Sequence, residues 1–98
     1  KRVTLSMIAE EVSERLDVSV ADMKGRSRQR RVALARNIAS MVTKDVMDAS
    51  FMEIGRFYGN RDHSTIISGI RTITRKIESD SELQRIVRLL KERLTSRG

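Results

Sequence analysis

Three observations predict an all-α fold, a compact bundle of about six helices that contains a helix-turn-helix and a basic loop. Apolar residues recur every three or four positions in successive segments, the period of one helix face. Ser, Thr or Asp precedes most of these segments, where a side-chain oxygen can accept from the free N–H groups of a first turn. The 98 residues include no Pro and only five Gly, so little interrupts a helix. With no Trp, two Phe and one Tyr, the core must be built from aliphatic side chains. This length makes a single domain, residues 1–98, and shows no repeat, low-complexity tract or linker.

Thr4 is placed to cap a first helix with Leu5, Ile8, Val12 and Leu16 on one face and Glu10, Glu11 and Glu14 left to solvent. Asp17-Val18 ends it. Ser19-x-x-Asp22 opens a short second helix that can dock Val20 and Met23 and closes at Lys24-Gly25. The basic loop follows at about residues 24–31, KGRSRQRR, where Gly and Ser break any periodicity. A third helix is expected from about Gln29 to Met47, burying Val32, Ala35, Ile38, Ala39, Val42 and Val46. Arg36, Asn37 and Lys44 fall off that stripe.

The helix-turn-helix is expected at about residues 50–77, SFMEIGRFYGNRDHSTIISGIRTITRKI. Ser50 and Glu53 form a capping box, and Ile54, Phe57 and Tyr58 share a face. Gly59-Asn60 is a strong breaker pair, because both residues tolerate the left-handed backbone that ends a helix. Asp62 then caps a helix whose apolar stripe is Ile66, Ile67, Ile70, Ile73 and Ile77. His63, Ser64 and Thr65 remain in its first turn, off the stripe, as do Arg71 and Arg75. Ser79-x-x-Glu82 opens a closing helix with Leu83, Ile86, Leu90 and Leu94 inward.

Catalysis lacks its parts. There is no Cys, the only His is His63, and neither HExxH nor GxxxxGK[ST] occurs, so no catalytic, metal or cofactor site is expected in this chain. Asp62 and His63 are adjacent at a helix start and are not expected to point at one another as a base and its orienting carboxylate do. The chain also lacks a signal-like start and an apolar run of the ~18 residues a membrane span requires, which suggests a cytosolic protein. Its start at Lys1-Arg2 without Met suggests a piece excised from a longer one.

The net charge of +7 is concentrated, since residues 24–37 carry six cations and no acid. Such a patch meets nucleic-acid phosphates or an anionic membrane surface. The membrane reading is the weaker, because these cations interrupt a loop instead of lining an amphipathic helix rich in Trp or Phe. RNA is weaker again for want of aromatic stacking platforms. A polar first turn, taken alone, is more often only a helix start. In a helix-turn-helix, however, that turn is where base edges are read in the major groove, and Asp62, His63, Ser64 and Thr65 have the groups to do so.

The string GNRDHSTIISGIRTI resembles the signature of the C-terminal DNA-binding domain of the bacterial replication initiator family DnaA, which runs close to GGRDHTTVLHAxRKI. The similarity extends from VTLSMIAEEVSERLDVSV through the signature to the last helix. Asn60 stands where the family mostly has Gly, Gly69 where it has Ala, and Thr72 where it has a basic residue; the Pro often found before the position of Arg36 is absent. The resemblance implies that Arg28, or Arg26 in a shifted loop, enters the adjacent minor groove. It also implies that Arg36, Asn37 and Lys44 hold phosphates. Arg26, Arg61 and the backbone N–H groups near Ser50 are expected to join them.

The target implied is double-stranded DNA in the A/T-rich boxes of a bacterial replication origin, bound by a monomeric domain. The implied parent is a cytoplasmic, nucleoid-associated initiator that uses ATP in an upstream domain and answers to regulatory proteins. A helix-turn-helix transcription factor or a transposase-associated domain would keep the fold and change the target. A basic protein-interaction module would bind acidic partners instead.

Overall fold

A computed structural model describes residues 2–96; Lys1, Arg97 and Gly98 lie outside them. The described residues form six helices and no strand: α1 (Leu5–Leu16), α2 (Val20–Lys24), α3 (Arg30–Val46), α4 (Phe51–Phe57), α5 (His63–Ile77) and α6 (Ser81–Ser96). None is long and apolar enough to cross a membrane.

The third helix is the axis of the bundle, with α1, α2, α5 and α6 packed around it. Its Val32, Ala35, Ile38, Ala39 and Val42 are fully buried, as expected, among Ile8 and Val12 of α1, Met23 of α2 and Leu90 and Leu94 of α6. Each such side chain contributes about 1.5–3 kcal/mol of transfer free energy when buried, the smaller Ala less. The fourth helix packs on α5, and α5 packs on α3. The helix-turn-helix is thereby seated on the bundle through its second helix.

Local signals set most boundaries. Thr4 Oγ1 accepts from Met7 N–H at 3.1 Å, and α1 ends where Asp17 turns left-handed at φ 56°. Ser19 Oγ accepts from Asp22 N–H at 3.0 Å to start α2. Two expectations are corrected. The last helix is capped by Asp80, whose Oδ1 accepts from Leu83 N–H at 3.0 Å, and not by Ser79. The backbone is still helical at Glu78, so Ser79 belongs to the tail of α5, with its N–H donating to Lys76 O. Glu11 does not face solvent: it is buried where α6 crosses α1 and pairs with Arg93 Nε at 3.1 Å. On α6, Val87 is buried and Ile86 only partly so.

Candidate nucleic-acid interface

The turn between α4 and α5 is built by two left-handed residues in succession, Gly59 at φ 81° and Asn60 at φ 61°. Asn is among the few side chains that tolerate this region, so the second position does not require Gly. The turn delivers His63, Ser64 and Thr65 to the surface, all exposed, while Ile66 behind them is buried and fixes the helix.

Asp62 stands at the N-cap position in an extended conformation, yet its carboxylate makes no capping bond to the backbone. Instead Oδ2 accepts from Ser64 Oγ at 2.6 Å and Oδ1 lies 3.3 Å from His63 Nδ1. The expectation that Asp62 and His63 point apart is therefore corrected. The extended Asp62 backbone swings its carboxylate beside the first turn, within reach of both neighbours. Ser64 donates to the carboxylate and not to His63, so this is no nucleophile–base–acid relay. The Ser64 hydrogen bond is the main cause holding the Asp62 carboxyl below the usual carboxylate range.

The basic loop lies against the same turn. Arg26, Arg28, Arg30 and Arg31 are exposed, and Ser27 Oγ accepts from Gln29 N–H at 3.3 Å within the loop. Arg31 donates to the Asp17 carbonyl at the end of α1. A cleft of about 730 Å³ separates Lys24, Arg26 and Arg28 on the loop from Arg36, Gly59 and Arg61 opposite.

The side chains expected to hold phosphates prove more engaged than their positions off the α3 stripe suggested. Arg36 is buried, because α2 and the turn close over it, and its Nε donates to Met23 O at 2.8 Å. Its Nη2 and the hydroxyl of buried Tyr58 have no hydrogen-bond partner among the described residues. Burial and then the nearby Arg61 charge lower the Arg36 pKa, while burial pushes that of Tyr58 well above its ordinary range. Arg61 is half-buried and donates to the carbonyls of Tyr58 and Gly25, the latter at 2.7 Å. Lys44 donates to Ala49 O at 2.7 Å with its ammonium 4.4 Å from the Phe51 ring centre.

Ser50 completes the expected capping box, accepting from Glu53 N–H at 3.0 Å. Its own N–H donates to Glu53 Oε1 at 2.9 Å, so that N–H is already engaged. Asn37 packs on α5, where a Cβ at Gly69 would overlap its amide oxygen. Gly69, a departure from the signature, thus meets Asn37 as one α3–α5 contact, a pairing no spacing in the sequence indicates. Lys24 was not expected at this site beyond its charge; its Nζ sits 4.0 Å from the Phe57 ring centre. A contact between residues so far apart leaves no local signal.

Residues 5–73 match the family described as the bacterial DnaA protein helix-turn-helix. The chain is 35% identical over 94 residues to the chromosomal replication initiator protein DnaA of Chlorobaculum tepidum, covering 96% of this chain and 19% of that one. It is 37% identical over 94 residues to the protein of that name from Herpetosiphon aurantiacus, covering 96% and 20%, and 34% identical over 92 residues to that of Levilactobacillus brevis, covering 94% and 20%. The chain spans about a fifth of the length of these relatives. On the strength of the matched family and of the six-helix fold with its exposed first turn on α5, the chain belongs to the DnaA family, as its C-terminal helix-turn-helix DNA-binding domain.

Proposed function

We propose that this domain binds duplex DNA sequence-specifically at the A/T-rich boxes of a replication origin, as the address-reading part of an initiator. The first turn of α5 enters the major groove, where Thr65 and Ser64 offer a methyl and hydroxyls to thymine methyls and base acceptors, with His63 and Asp62 beside them. Arg28 of the loop reaches the neighbouring minor groove, whose narrow A/T-rich form concentrates negative potential; Arg26 is the next cation along. Arg36, Asn37, Lys44 and the first backbone N–H groups of α4 beside Ser50 line the approach to the backbone and set register more than sequence.

One observation carries this reading: the exposed turn of α5 and the arginine loop flank a single junction, held by Arg61 between Gly25 and Tyr58. Two readers so linked suit adjacent grooves of one duplex. The domain acts as a monomer, with its free helices open to replication-regulatory proteins, within a cytoplasmic protein whose ATP use resides in a domain outside this chain.

Fluorescence anisotropy with a consensus DnaA box and a scrambled duplex, across a salt series, tests the proposal. A preference for the box of about a hundredfold or more at physiological salt is expected. Equal binding to both duplexes would sink site-specific reading and leave a basic module of other target. Binding to neither would turn attention to acidic protein partners.

A further inference from the structure

We infer that Arg61 is a positioning residue that clamps the basic loop to the helix-turn-helix, so that the loop arginine and the first turn of α5 reach DNA at one fixed separation. This rests on the DNA-binding proposal above. The guanidinium of Arg61 is a planar fork that can serve two acceptors at once. One terminal nitrogen donates to the Tyr58 carbonyl at the end of α4, and the other to the Gly25 carbonyl at 2.7 Å, 36 residues away. Arg61 itself is held, its N–H donating to Gly55 O at 2.8 Å.

Other contacts fasten the same short segment. Arg36 Nε takes the carbonyl of Met23 at 2.8 Å. The carbonyl of Lys24 lies against Gly59 so closely that a Cβ there would overlap it, and the Lys24 ammonium sits over Phe57. Three consecutive residues, Met23, Lys24 and Gly25, are thus each tied to α3, α4 or the turn, immediately before Arg26 and Arg28. A phosphate ligand needs its donors turned to solvent, whereas both terminal nitrogens of Arg61 already donate to main-chain oxygens of the protein.

Successive base pairs are about 3.4 Å apart, so a loop displaced by a few ångströms presents its arginine to the wrong step. Loosening the clamp therefore removes discrimination at the base pairs under the loop and spares those under α5.

The test compares Arg61→Lys and Arg61→Gln with the unaltered domain, using the consensus box, boxes altered only in the minor-groove half, and boxes altered only in the major-groove half. Arg61→Lys keeps the charge and loses the fork. Its discrimination in the loop half is expected to fall about tenfold, with major-groove discrimination, binding to scrambled DNA and salt dependence retained. Full discrimination by Arg61→Lys in both halves, with Arg61→Gln weakened alike on every duplex, would overturn the inference and make Arg61 a plain phosphate ligand. Equal loss in both halves would overturn it as well.

Hydrogen exchange of the DNA-free protein supplies an independent check. Arg61→Gln should speed exchange at the amides of residues 25–29 and leave those in the middle of α5 unchanged; unaltered loop exchange removes the clamp whatever the DNA results. Indifference of the unaltered domain to the box would instead sink the DNA-reading proposal, and the exchange data would still decide whether Arg61 holds the loop.

Discussion

Thr65 is exposed in the first turn of α5 while its neighbour Ile66 is buried, so its side chain can be shortened without opening the core. Thr65→Ala is expected to weaken binding to the box by about 1–3 kcal/mol and to leave binding to scrambled DNA almost unchanged. Anisotropy on the two duplexes checks this, and an equal loss on both would remove Thr65 from base reading. Just before it in the chain, Ser64 and Asp62 are bound to each other before any DNA arrives. The carboxyl of Asp62 titrates below the usual range, chiefly through the Ser64 hydroxyl and then the His63 charge. Because its folded-state pKa is depressed, this network is intact above the ordinary carboxylate pKa and is lost as pH falls through the lower, folded-state value. Following the Asp62 carboxyl carbon by NMR should show that low midpoint, and Ser64→Ala should move it up towards the ordinary carboxylate range. A midpoint that ignores Ser64→Ala would mean the hydroxyl points elsewhere in solution.

At the scale of the element, α4 leans on its cap. It has seven residues, too few for helix propensity alone to hold it, and both halves of its capping box are formed. Ser50→Ala should destabilise the domain by about 1 kcal/mol, read as a lower urea midpoint with unchanged slope. No change in the midpoint would show that packing on α5 alone fixes α4. That box was legible in the sequence because Ser50 and Glu53 are three residues apart and need only each other. Thr4, Ser19, the Gly59-Asn60 turn and the apolar stripes were legible for the same reason: their partners are near in sequence or repeat with the helix. The misplaced cap at Ser79 shows the limit of spacing, since Asp80 satisfies it nearly as well and the length of α5 decides between them. Engagements made across the bundle left no such trace. Glu11 meets Arg93, Arg36 meets Met23, and Asn37 meets Gly69 only once the helices pack. For the candidate site, therefore, the sequence shows which residues have suitable chemistry. Which of them are free to meet a ligand depends on the packing.

For the whole molecule, the +7 charge does not translate directly into phosphates neutralised. Some cations are engaged by the fold, Arg85 with Glu82 at 2.8 Å and Lys91 with Asp45 at 2.7 Å among them. The loop cations Arg26 and Arg28 and, at the start of α3, Arg30 are exposed, and the half-buried Lys44 in the last turn of α3 reaches over to the start of α4. Counterion release makes the logarithm of affinity fall with the logarithm of salt at about 0.9 per phosphate neutralised. Contact with about six phosphates gives a slope near −5 for the box. Arg26→Gln or Arg30→Gln should each make it shallower by about 1, and Arg85→Gln, on α6 and already paired with Glu82, should leave it unchanged. Anisotropy titrations at four or more salt concentrations would measure these slopes to the accuracy required. A slope near −1 would mean that the loop lies off the backbone, and an equal effect of Arg85→Gln would mean that the domain's overall charge, rather than the surface formed by α5 and the loop, draws it to DNA.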